Sequence, residues 1–151
     1  MSYQLQAVAS AAQTFISAPF LHQGRTVDGC DCIGLILMSL HAVGWQALSP
    51  ETTYVDDYSR IPEGAMIETY MALEADVIPR NEARAGDIVM MRFAREPQHL
   101  AVLVDPPAGC SGFYMVHSVD GVMGADGVVM CGYDQKHRSR TKSIWRFKGG
   151  E

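Results

Sequence analysis

Cys32 stands at the head of a long apolar run, in the string Asp28-Gly29-Cys30-Asp31-Cys32-Ile33-Gly34-Leu35. The run from Ile33 to Val43 is almost free of charge and stops at Gly44, the pattern of a buried helix closed by a glycine. Asp28 and Asp31 are good capping residues on its leading side. A thiol in the first turn of such a helix feels the positive end of the macrodipole, which favours thiolate over thiol. A cysteine nucleophile also needs a base to take its proton and return it to the leaving amine. The base works best when a third polar group holds it. His99 opens one apolar segment and His117 lies near the end of another. If those segments are neighbouring strands and the Cys32 helix packs against them, a Cys–His–His arrangement results.

The elements that must position these groups follow from periodicity. Ala7 to Ser17 is alanine-rich with helical apolar spacing, ended by Pro19. His22 to Gly29 reads as a turn, Ser49 to Pro62 as a surface loop, and Glu63 to Ala75 as a second helical pattern. From Ala85 the pattern changes. Asp87–Phe93, His99–Val104, Phe113–Val119, Gly127–Cys131 and Ser143–Phe147 read as strands, separated by the Gly, Pro and Asp clusters of hairpins. Helices first and strands afterwards predict an α+β fold with an antiparallel sheet. The 151 residues make one domain, 1–151, with enough chain for a real core.

Composition narrows the function. Hydrophobic residues at 48% and charged residues at 19% describe a globular chain rather than a disordered one. A net charge of -5 argues against nucleic acid as a partner. No apolar run approaches a membrane span, so membrane insertion is not expected. The N-terminal Met1-Ser2-Tyr3-Gln4 carries no secretory signal. Synthesis in a cytoplasm, with reduced thiols, is the expectation.

The remaining candidates have plainer readings. Cys30 reads as structural, with a minor alternative as a trap for oxidised Cys32. Cys110, in a Pro/Gly-rich loop, and Cys131, at a strand end, read as bystanders. Cys30-x-Cys32 lacks the second pair of a strong zinc pattern, so neither metal nor cofactor is expected. His41 suits the negative end of its helix. Lys136, Arg138, Arg140, Lys142, Arg146 and Lys148 gather half of the chain's basic residues. They read as a solvated strand face, or as a docking surface for an acidic partner or an anionic polymer.

Asp31-Cys32-Ile33-Gly34-Leu35 resembles the Asp-Cys-Ser-Gly-Leu signature of the NlpC/P60 cysteine peptidases. Further blocks follow in the family's order. Ala18-Pro19-Phe20-Leu21-His22-Gln23-Gly24 resembles Pro-Tyr-x-x-Gly-Gly, and Ala85-Gly86-Asp87-Ile88-Val89 resembles Gly-Asp-Leu-Val. His99-Leu100-Ala101-Val102-Leu103 is similar to His-Val-Gly-Ile-Tyr, and Met115-Val116-His117-Ser118 to Phe-Ile-His-Ala. The phage-tail branch, including tail-assembly and gene-transfer-agent-like members, is closer still, with Pro-Tyr-x-His-Gln and Gly-Cys-Asp-Cys-Leu-Gly-Leu. The resemblance implies a papain-like fold and hydrolysis of peptidoglycan stem peptides beside a γ-linked D-glutamate. It implies Cys32 as nucleophile, His99 as base, His117 as orienter and the Cys32 backbone N–H as an oxyanion donor. Phe20, His22, Gln23 and Asp31 would lie around the oxyanion. The family's upstream tyrosine falls at Phe20, which has no hydroxyl; losing one such donor costs on the order of a hundredfold in rate. The implied setting is a virion tail acting on the wall during DNA delivery, with tail-tip or baseplate proteins as partners. The alternative is an inactive structural module of a tail tip with the same fold.

Overall fold

The computed structural model describes residues 2–47, 65–93, 98–121 and 125–151. Its elements run in the order α1 (Leu5–Thr14), β1 (Arg25–Thr26), β2 (Gly29–Cys30), α2 (Cys32–Ala42), α3 (Ala65–Glu74), β3 (Ala75–Val77), a 3-10 turn (Arg80–Glu82), β4 (Ile88–Met91), β5 (His99–Val104), β6 (Tyr114–Asp120), β7 (Asp126–Gly132), α4 (Gln135–Arg140) and β8 (Thr141–Phe147). The α+β architecture is as expected, and β5 matches its predicted span. The loop expected over Ser49–Pro62, and the start of the following helix, lie outside the described residues. None of the described helices is long and apolar enough to cross a membrane.

One six-stranded sheet, in the order β3-β8-β4-β5-β6-β7, carries the fold. Strands β4 to β7 are successive antiparallel hairpins, and β8 returns to pair with both β3 and β4. The sheet is covered on both faces. On one side Leu5, Val8, Leu35, Ile36 and Leu40 of the helices pack against Ile88, Met90, Val102 and Val116. On the other, Val89, Met91, Ala101, Leu103 and Met115 pack with Tyr133, Ile144 and the partly buried Phe93 and Cys131. Every residue of β4 and β5 is therefore buried, which is why both read as continuous apolar runs rather than alternating ones.

Helix α2 ends as its sequence suggests. Gly44 takes a left-handed φ of 85°. The Gly44 and Trp45 N–H groups bond back to the His41 and Leu40 carbonyls, and Trp45 is buried beneath this turn. The start of the sheet is fixed by charge. Asp87, fully buried, accepts from Arg146 Nε at 2.8 Å, from another Arg146 guanidinium nitrogen at 2.9 Å and from the Arg84 backbone at 2.8 Å. Such a two-pronged pair locks β4 against β8. Tyr3, whose hydroxyl donates to the Phe147 carbonyl, has its phenol pKa raised by burial and by the Asp87 charge.

The basic segment departs from the strand-face reading. Lys136, Arg138 and Arg140 lie on α4, a short helix capped by Asp134, not on a strand. Several of these cations are engaged within the molecule. Arg138 donates to the Tyr133 carbonyl, Arg140 lies over the Phe93 ring, Lys142 pairs with Glu68, and Arg146 holds Asp87.

Candidate active site

The site is assembled around the first turn of α2. Asp31 is its N-cap: one carboxylate oxygen accepts from the Gly34 N–H at 2.8 Å, and the other from the Gln23 N–H at 2.9 Å. One buried side chain thus ties the helix start to the preceding loop. That loop lies close enough to demand glycine at position 34, where an added Cβ would sit 2.0 Å from the Gly24 carbonyl oxygen. Asp31 and Gly34, flanking Cys32 in the signature, are thereby explained by backbone geometry. Asp31 serves here as an acceptor that shapes the loop.

Cys32 is the first residue of α2 and is buried. At this position the backbone N–H groups have no partner inside the helix and point out of its end. Helix α2 packs against β5 and β6. Ser118 Oγ of β6 donates to the Cys30 carbonyl at 2.7 Å, which fastens the strand carrying His117 to the segment leading into Cys32. The Cys30 thiol is held protonated chiefly by burial, consistent with its structural reading.

His99 and His117 are brought together. The bonded register sets Val102 opposite Val116 and Leu103 opposite Met115. Continued by one residue, it places His117 opposite Ala101 and His99 one pleat further along the same face. His99 Nε2 lies 2.7 Å from His117 Nδ1, with the rings edge to face. Both rings are buried. Burial, reinforced by the nearby His99 and His137, pushes the His117 pKa down to about 3. His117 therefore stays neutral at ordinary pH and keeps a lone pair to offer. With His99 Nε2 committed to His117, Nδ1 is the nitrogen that would exchange a proton with a thiol. Phe93 closes the edge of the pair, 5.9 Å from the His99 ring centroid.

The residues expected around the oxyanion are spread over the loop. The Phe20 backbone forms a parallel bridge to Cys30, and its side chain is half-buried. His22 is exposed in the turn, and Gln23 adopts a left-handed φ of 62° while giving its backbone N–H to Asp31. Cys110 is exposed, and its thiol, beside Tyr114, raises the pKa of that phenol. Cys131, expected as a bystander, has its Sγ 3.5 Å from His117 Nε2. Strand alternation holds the signal for it, since Met115 pairs with Cys131 and His117 with Val129 on one face. Among the described residues no group of three or more His, Cys, Asp or Glu side chains converges as metal ligands would.

Residues 17–140 match the model of the NlpC/P60 family. Among solved structures, the chain is similar to the crystal structure of the NlpC/p60 domain of the peptidoglycan hydrolase SagA. The two share 16% identity with a TM-score of 0.54, over 94% of this chain and 97% of that one. At that identity the likeness is one of fold. No curated protein matches the chain.

Proposed function

The chain belongs to the NlpC/P60 family, and from that premise we propose that it is a cysteine peptidase hydrolysing the stem peptides of peptidoglycan. In this reading Cys32 is the nucleophile, His99 its base and His117 the group that orients the base. His99 Nδ1 takes the thiol proton, and the thiolate attacks the carbonyl carbon of the scissile amide. The developing oxyanion is met by the Cys32 N–H at the helix start. The imidazolium then protonates the departing amine, and water, deprotonated by the same ring, releases the acyl group from sulfur. The observation that carries the proposal is the 2.7 Å contact between His99 Nε2 and His117 Nδ1.

The bond proposed is the γ-D-glutamyl-diaminopimelate linkage, and the setting a phage tail that opens the wall while DNA is delivered. The Pro19-Phe20-Leu21-His22-Gln23 and Gly29-Cys30-Asp31-Cys32 strings support this branch. Under it the chain is made in the host cytoplasm, is carried in the virion tail and contacts tail-tip or baseplate proteins. A second reading, an inactive structural module of the tail tip, is favoured by one observation: Phe20 supplies no hydroxyl where the family's tyrosine would. Digestion of purified sacculi and of a synthetic stem peptide by wild type and Cys32→Ala separates the two. New amino termini from wild type alone are expected. Equal product from both proteins would remove Cys32 as nucleophile, and an inert wild type that co-purifies with tails would establish the structural reading.

A further inference from the structure

We propose that Cys131 is a positioning residue of this site, fixing the tautomer of His117 and through it the proton on His99. The inference rests on the peptidase reading above and extends its line of groups by one member. Both ring nitrogens of His117 are engaged, Nδ1 by His99 Nε2 at 2.7 Å and Nε2 by Cys131 Sγ at 3.5 Å. A neutral imidazole has one N–H and one lone pair, so the two contacts are coupled. His99 accepts a thiol proton at Nδ1 only when its own hydrogen is on Nε2. That hydrogen donates to His117 Nδ1, which obliges His117 to carry its hydrogen on Nε2, aimed at the Cys131 sulfur.

The reverse arrangement is unproductive. Were Cys131 to donate to His117 Nε2, His117 would protonate at Nδ1 and drive His99 to the Nδ1–H tautomer, closed to the thiol. A Cys131 sulfur that accepts from His117 Nε2–H holds the pair in the first, productive pattern. Its placement is built into the β6–β7 ladder, where it sits opposite Met115 on the face that carries His117. Burial, and then the Asp134 carboxylate, raise the Cys131 thiol pKa, so it meets His117 as a neutral group rather than a rival nucleophile. Among the described residues, His137 also depresses His117, Asp134 holds His137 Nδ1 at 2.8 Å, and Tyr114 interacts electrostatically with Cys131.

Nitrogen-15 spectra of the labelled imidazoles, taken with stem-peptide kinetics, test the assignment in wild type, Cys131→Ala and Cys131→Ser. Wild type should show His117 as the Nε2–H tautomer. Cys131→Ala should show mixed tautomers at His117 and a kcat lower by about two- to tenfold, the rate equivalent of one neutral hydrogen bond, at unchanged KM. Cys131→Ser, which keeps the shape and an acceptor, should recover most of both. An unchanged His117 tautomer in Cys131→Ala, or an unchanged kcat where wild type is active, overturns the proposal. The spectra report even if no peptide is cleaved, so an inert wild type counts against the peptidase reading while the tautomer alone decides the role of Cys131.

Discussion

Replacing Asp31 by alanine should loosen the start of the nucleophile helix and the loop before it at once. The carboxylate is buried and receives two backbone N–H groups, from Gly34 at 2.8 Å and Gln23 at 2.9 Å. Loss of the cap costs about 1 kcal/mol. Loss of a charged acceptor from the second N–H adds about 1.5–3 kcal/mol. The sum, roughly 2.5–4 kcal/mol, corresponds to a melting temperature lower by roughly 5–15 °C for a chain of this size. Asp31→Asn keeps one oxygen for Gly34 but sets an NH2 group against the Gln23 N–H, so it should fall between the two. Urea denaturation followed by circular dichroism measures the total, and amide exchange at Gln23 and Gly34 locates it. An alanine variant within about 0.5 kcal/mol of wild type, or an asparagine variant as costly as alanine, would refute the clasp.

Two further outcomes follow from the same geometry. Gly34→Ala drives a methyl group to within 2.0 Å of the Gly24 carbonyl oxygen; because that atom is backbone, a loss of about 1–3 kcal/mol is expected, and calorimetry giving the wild-type melting temperature would contradict the close approach. His117 keeps its neutral form down to a pKa of about 3, whereas an unfolded histidine takes its proton near pH 6.5, so its contribution is complete above about 6.5 and is lost as pH falls towards 3, by at most about 1.4 kcal/mol per unit. Urea titrations between pH 6 and 4 should show a flatter loss of stability in His117→Asn, and an unaltered slope would argue that the ring is not buried neutral.

The parts of the site written in local pattern were legible before any coordinates. The apolar run after Cys32, its Asp31 cap and its Gly44 stop define α2, and His99–Val104 is a strand at its predicted bounds. The histidine pairing was legible only as a condition, because side-by-side placement depends on strand register. The contact of Cys131 with His117 depends on register in the same way: a residue at a strand end has no assigned face until its partner strand is known. The six residues of α4 and the three of β3 are too short for periodicity to declare them. Asp87 reads locally as the first residue of a strand, while the partner that makes it structural, Arg146, lies 59 positions later.

The sheet order β3-β8-β4 sets a sequence of events during synthesis. The hairpins β4 to β7, with both histidines, leave the ribosome before β8, yet β8 occupies an interior position between β3 and β4. Until Thr141–Phe147 emerges, β3 and β4 lack the strand that pairs with both of them, and the buried Asp87 carboxylate lacks the Arg146 guanidinium. Long-range closures of this kind slow folding and leave strand edges open to other chains. Of this sheet's strands, the one that comes last in chain order is thus the one that closes its interior.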